Sequence, residues 1–135
     1  VKKSLLDTDM LSFYLKGISS VVARVGYYLE HFGRLDFSVI TYYEIRRGLL
    51  HAGAGQKVRQ FEKLAGVSCV WPLDRPAGRR AAEICARLWK QGNPLDDADI
   101  LIAGIVLSNG MILVTNNSRH FERIPELELD NWLIE

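Results

Sequence analysis

The chain has 135 residues, 48% of them hydrophobic and 24% charged, with 17 lysines and arginines against 16 aspartates and glutamates. That is ordinary globular usage, long enough for one domain over 1–135 with its own core, and it excludes a disordered, collagen-like or disulfide-scaffolded chain. A formal net charge of +1 excludes a global field that would steer polyanions, so any affinity for nucleic acid has to come from a local patch.

Ser4–Asp7 opens the chain as a short apolar run suited to a buried strand. Val21, Val22, Val25, Leu29 and Phe32 then recur at helical spacing after the candidate caps Ser19 and Ser20, and Gly33 closes that helix. Phe37–Thr41 reads as a second strand, followed by a helix over about Thr41–Leu50. After the breaker Gly53-Ala54-Gly55, a further helix is expected over about Gln56–Leu64. Val67–Leu73 is a third strand. About Ala77–Lys90 forms a helix that buries Ala81, Ile84, Cys85 and Leu88 and turns Arg79, Arg80, Glu83 and Arg87 outward, with Gly92-Asn93-Pro94 as its stop. About Asp97–Ser108 is apolar nearly all round, the mark of an interior helix. Met111–Thr115 is a fourth strand, and a weak fifth is expected around Leu127–Leu129.

Strands alternating with helices predict an α/β chain, a three-layer α/β/α sandwich with a mainly parallel central sheet, because parallel neighbours need helical crossovers. The longest apolar stretch, Ile100–Leu107, is far short of the roughly 18 residues of a membrane span. Leu5-Leu6 runs into Asp7 without the apolar region of a secretory signal, so a cytoplasmic protein is expected, with no membrane partner. The two cysteines, Cys69 and Cys85, form no Cys-x-x-Cys pair and read as apolar residues.

In parallel α/β sheets, functional groups gather beyond the carboxyl ends of the strands. Asp7 and Asp9 follow the first strand, Thr41 to Glu44 the second, and Thr115-Asn116-Asn117-Ser118 the fourth. Asp96, Asp97 and Asp99 fall at the opening of the buried helix, where the unpaired N–H groups favour negative charge. Asp7, Glu44 and Asp99 are therefore candidates to meet on one rim. At about 5 Å and an effective dielectric of ~20, each pair of ionised acids repels by roughly 3 kcal/mol, so such a trio needs protonation or a divalent cation. An all-oxygen set favours Mg²⁺ or Mn²⁺ over Zn²⁺, and His31, His51 and His120 show no metal-binding spacing. The same acids also serve the plainer role of capping turns and helix starts. Arg46 and Arg47, close to Glu44, are candidate contacts to substrate phosphates.

Leu5-Leu6-Asp7-Thr8-Asp9-Met10-Leu11-Ser12, Phe37-Ser38-Val39-Ile40-Thr41-Tyr42-Tyr43-Glu44-Ile45-Arg46-Arg47-Gly48, and Asp99-Ile100-Leu101-Ile102-Ala103 with Leu113-Val114-Thr115-Asn116-Asn117-Ser118-Arg119-His120-Phe121, in this order, resemble the PIN-domain ribonucleases and, within them, the VapC-type toxins of toxin–antitoxin pairs. The resemblance implies a metal-dependent endoribonuclease. Asp7, Glu44 and Asp99 would hold Mg²⁺ or Mn²⁺, Asn117 would stand at a fourth position, and Thr115 or Ser118 would assist. It further implies an RNA substrate, a homodimer and a VapB-type antitoxin that inserts its C-terminal segment into the acidic groove.

The chain departs from the family pattern at three places. Asn117 is neutral where an acid is frequent, which favours one metal over two. Asp96 stands where Gly is common, beside Asp97, and leaves open which of them joins the site. Asp9 stands where Asn is frequent. Two other readings are carried forward. Asp7-Thr8-Asp9 after a strand also resembles the haloacid-dehalogenase phosphatases, with Asp7 as nucleophile, although no Gly follows Asp9 and Glu44 would have no role. The third is a non-catalytic PIN-like module that binds RNA or protein without cutting.

Overall fold

The computed structural model describes residues 2–134. Strand β1, Ser4–Leu6, ends at Asp7, whose extended backbone and side chain cap helix α1, Thr8–Leu15, through a 2.8 Å bond from the Met10 N–H. Helix α2 covers Ser19–Phe32 and ends, as expected, on Gly33 in the left-handed conformation at φ 80°. Its cap is the backbone of Ile18 rather than Ser19 or Ser20; Ser20 instead donates to the Leu133 carbonyl at 3.1 Å.

Strand β2 is only Asp36–Ser38, because the Ser38 hydroxyl accepts the Thr41 N–H at 3.1 Å and starts helix α3, Val39–His51, inside the expected strand. Helix α4, Gly55–Gly66, leads to β3, Cys69–Trp71. Asp74 caps helix α5, Arg75–Lys90, through the Ala77 N–H at 3.1 Å. Helix α6, Asp97–Ser108, feeds β4, Ile112–Val114, then the short α7, Ser118–Phe121, and β5, Leu129–Asp130. Helices α1 and α7 have no counterpart among the sequence expectations. Cys85 is only partly covered, not buried with Ala81, Ile84 and Leu88.

All four strand pairings are parallel, in the order β3-β2-β1-β4-β5. Successive side chains of a strand face opposite sides, and the two central strands show it. Leu5 and Leu113 pack with Ile84, Ile102 and Val106 of α5 and α6. Leu6 and Val114 pack with Met10, Val25 and Phe61 of the helices on the other face. This is the expected α/β/α sandwich. Among the described residues no helix is long and apolar enough to cross a membrane.

Helices α5 and α6 approach so closely that Gly104 has no room for a side chain. A Cβ there would lie 2.5 Å from the Ala77 carbonyl oxygen and 2.9 Å from the Ala81 Cβ. Gly104→Ala is therefore expected to lower the unfolding free energy by about 1–3 kcal/mol despite alanine's better helix propensity, measured by urea denaturation.

Candidate active site

The chain leaves β1 for β2 on one side and returns from β3 to β4 on the other, so the connections diverge between the neighbouring strands β1 and β4. A crevice opens at such a point beyond the strand carboxyl ends. Asp7 follows β1 and Thr115 follows β4, both buried. Their backbones lie side by side, with the Asp7 N–H bonded to the Val114 carbonyl at 3.0 Å.

Asp7 is 6% exposed. Burial pushes its carboxyl up from the ordinary 3.8 to about 6; the Thr115 hydroxyl and the Met10 N–H draw it partly back, and the charges of Asp9 and Asp99 raise it further. Thr115 in turn accepts the Asn117 N–H at 2.9 Å. Asp99, in the first turn of α6, is also raised, first by burial and then by the charges of Asp96, Glu44 and Asp9, while His120 acts in the opposite direction. Five acids thus share one electrostatic neighbourhood. Of the two residues left open, Asp96 is the one whose charge bears on Asp99; Asp97 is exposed in the first turn.

Glu44 sits one turn into α3 and is held from the far side. The Thr8 hydroxyl donates to Glu44 Oε1 at 2.6 Å, and the hydroxyls of Thr8 and the fully buried Thr41 lie 2.9 Å apart. With the Thr8 proton on Glu44, Thr41 donates to Thr8. Sequence reasoning assigned Thr8 no role; the signal was a hydroxyl inside the Asp7-Thr8-Asp9 triplet. It missed His120 as well, whose Nδ1 stands 3.8 Å from Asp99 Oδ2.

The remaining candidates are placed differently. Asn117 is exposed at the start of α7, and its side chain makes no capping bond. Ser118 is exposed and lines, with Thr115 and Asp130, a separate depression of about 420 Å³. Asp9 is exposed on α1. Arg46 is engaged with Glu62 at 2.7 Å, where Tyr42 also donates at 2.6 Å, and the two partners hold the Glu62 carboxyl below the ordinary range. Arg47 lies over the exposed ring of Tyr43, 5.0 Å from its centroid.

Among the described residues, no three His, Cys, Asp or Glu side chains converge closely enough to hold an ion in the positions they adopt. The charge of Glu44 reaches Asp99 and that of Asp99 reaches Asp7, but the expected trio does not close on a common point, and the Thr8 hydroxyl holds Glu44 Oε1 at 2.6 Å. The donor set still fits a hard dication. It is all oxygen, buried at Asp7, and two of its members have proton affinities raised by desolvation and mutual repulsion, a burden that a cation relieves. Beside Thr8 and Glu44 a cleft of about 560 Å³ runs between α1, α3 and α4, walled by Ile45, Leu49 and Phe61 and flanked by Lys16 and Lys57.

Comparison with known proteins matches a family model described as "PIN domain" to residues 5–127. The chain is 31% identical over 131 residues to a protein of Shigella flexneri named "tRNA(fMet)-specific endonuclease VapC", covering 96% of this chain and 98% of that one. It is 30% identical to "Ribonuclease VapC1" of Haemophilus influenzae strain R2866, covering 95% and 96%. Among solved structures, a chain of the DNA-bound VapBC complex from Salmonella typhimurium superposes with a TM-score of 0.88 at 30% identity, covering 98% of this chain and 99% of that one. VapBC-1 from nontypeable Haemophilus influenzae gives 0.80 at 28% identity, covering 96% and 97%.

Proposed function

The chain belongs to the PIN-domain family, and on that premise we propose that it is a VapC-type endoribonuclease, the toxin of a toxin–antitoxin pair, which cuts RNA with Mg²⁺ or Mn²⁺ at the acidic crevice. The observation that carries this reading is the pairing of buried Asp7 with Asp99, two acids of raised proton affinity at the point where the sheet connections diverge. The PIN-domain match disfavours the phosphatase alternative.

Asp7 and Asp99 would hold the ion, with Glu44 completing the anionic rim and Asp96 and Asp9 adding negative charge around it. When bound, the ion supplies Lewis acidity and neutralises charge that builds up on the phosphoryl oxygens. The protein's own groups do the positioning. Met10 N–H and Thr115 fix Asp7, and Thr8 takes Oε1 of Glu44, which leaves Oε2 to accept a hydrogen bond from water at the rim. Asn117 and Ser118 would contact substrate from the exposed start of α7. Lys16 and Lys57 supply positive charge for the phosphates of an RNA strand that continues into the neighbouring cleft, and Arg47 is the candidate on α3. Arg46 is spent on Glu62 and is a weaker candidate.

The relatives' names supply the substrate to try first, the initiator tRNA, and the VapBC complexes supply the partner, a VapB-type antitoxin. A homodimer is the proposed working unit. The test is cleavage of a tRNA pool by the purified protein. Cutting is expected with Mg²⁺ or Mn²⁺, to stop with chelator, and to fall by at least about 100-fold in Asp99→Asn, which removes one charged anchor of the site. Full cutting in chelator or by Asp99→Asn would overturn the reading. Binding of the same tRNA without any cutting would favour the non-catalytic module.

Thr8→Val keeps the shape and removes the hydroxyl. Cleavage is expected to fall about tenfold, the worth of one hydrogen bond to a charged group. Circular dichroism of the folded variant should match the wild type. An unchanged rate would show that Glu44 works without that bond.

A further inference from the structure

Asp7, Glu44 and Asp99 each need something to hold their orientation, and for two of these three the holder is already in contact. Met10 N–H bonds Asp7 at 2.8 Å and the Thr8 hydroxyl bonds Glu44 at 2.6 Å. Asp99 instead faces His120, with Nδ1 to Oδ2 at 3.8 Å, about 1 Å longer than a hydrogen bond. That nitrogen is sealed from solvent and has no hydrogen-bond partner. A buried ring nitrogen left without a partner is costly, so one that points at a carboxylate calls for a role. The backbone makes the approach reproducible. Phe121, fully buried in the core under α5 and α6, anchors α7, and the His120 N–H is bonded to the Asn117 carbonyl at 3.0 Å.

We propose that His120 is the positioning residue of Asp99: its Nδ1–H closes onto Oδ2 and fixes the carboxylate in the orientation that holds the cation. Ligating carboxylates are generally held by such outer hydrogen bonds, and losing one costs roughly 10–100-fold in metal affinity. The assignment rests on the reading of the crevice as a cation site, and the test separates the two.

Mn²⁺ is titrated calorimetrically into the full chain of the wild type and of His120→Ala, His120→Asn and His120→Gln, with RNA cleavage followed in parallel. His120→Ala is expected to weaken Mn²⁺ binding roughly tenfold and to lower kcat while KM for RNA stays constant. His120→Asn places an amide N–H where Nδ1–H stood and should restore most of the affinity. His120→Gln places it where Nε2 stood and should restore none. Wild-type affinity in His120→Ala, or equal rescue by Gln and Asn, would overturn the proposal. So would ¹⁴N coupling in the electron paramagnetic resonance of bound Mn²⁺, which would put the imidazole on the ion itself. A wild type that neither binds Mn²⁺ nor cuts RNA fails the underlying reading before any variant is compared.

Discussion

Asp7→Asn is expected to abolish RNA cleavage and, in the metal-free protein at pH 8, to raise the melting temperature. The Asp7 carboxyl titrates at 3.8 in an open chain and at about 6 in the fold, so between these values the folded protein binds a proton that the unfolded chain has released. The stability this confers is complete below pH 3.8 and is lost as the pH rises through 6. Above that, the fold carries an ionised carboxylate that is 6% exposed, at a cost of roughly 3 kcal/mol, taking about 1.4 kcal/mol per tenfold change in proton affinity. The amide is neutral at every pH, and its oxygen still accepts the Met10 N–H, so the start of α1 is kept. The gain should be on the order of 5–10 °C at pH 8 and vanish near pH 4. Mn²⁺, expected to raise the wild-type melting temperature, should no longer do so in the variant. Scanning calorimetry at the two pH values checks this. A variant that melts at or below the wild type at pH 8 would show that burial is not what raises Asp7.

Asp36→Ala is expected to lose roughly 2–5 kcal/mol of unfolding free energy, a large share of the total for a domain of this size. Asp36 opens β2, is 2% exposed, and accepts from the Tyr28 hydroxyl at 2.5 Å and from Trp71 Nε1 at 2.9 Å. Tyr28 also receives the Ser4 N–H at 2.9 Å, so one carboxylate joins β1, β2, β3 and α2. Burial, with the bond to Asp36, holds the Tyr28 hydroxyl well above the ordinary phenol range, so it stays a donor throughout the working pH range. Alanine would leave the buried Tyr28 hydroxyl and the half-buried Trp71 Nε1–H without their acceptor. Because Asp36 lies at the start of its strand and the acids of the crevice lie beyond the strand ends, cleavage by the fraction that remains folded at low temperature should stay near the wild-type rate. Urea denaturation measures the loss. A shift below about 1 kcal/mol would mean that water replaces the carboxylate and that the network is not a fastening.

The two variants separate chemistry from stability in opposite directions. Asp7 is buried at a cost to the fold, a cost that the proposed cation at the crevice would offset. Asp36, at the other end of the sheet, has a hydrogen bond at each of its two oxygens.

Much of this was legible along the chain. The short apolar runs at Ser4–Asp7 and Met111–Thr115 marked the two central strands. The nearly all-apolar stretch after Asp97 marked the interior helix, and Gly33 marked a helix end. Those signals are local, since hydrophobic period and turn chemistry are expressed within a few residues of one another. The boundary errors have local causes too. Ser38 caps a helix within what reads as a strand, and Asp7 is at once the end of β1 and the cap of α1, so no turn residues announce the first helix. What the tertiary structure alone decided is which side chains meet: Thr8 with Glu44, His120 with Asp99, Arg46 with Glu62, and Asp96 rather than Asp97 near Asp99. Thr8 and Glu44, like Asp99 and His120, are separated along the chain by a helix or more and are brought together across parallel strands, whereas Arg46 and Glu62 meet between the consecutive helices α3 and α4. No periodicity encodes contacts of that kind, because they depend on where two elements finish relative to a common sheet, and that is set by the packing of the whole core.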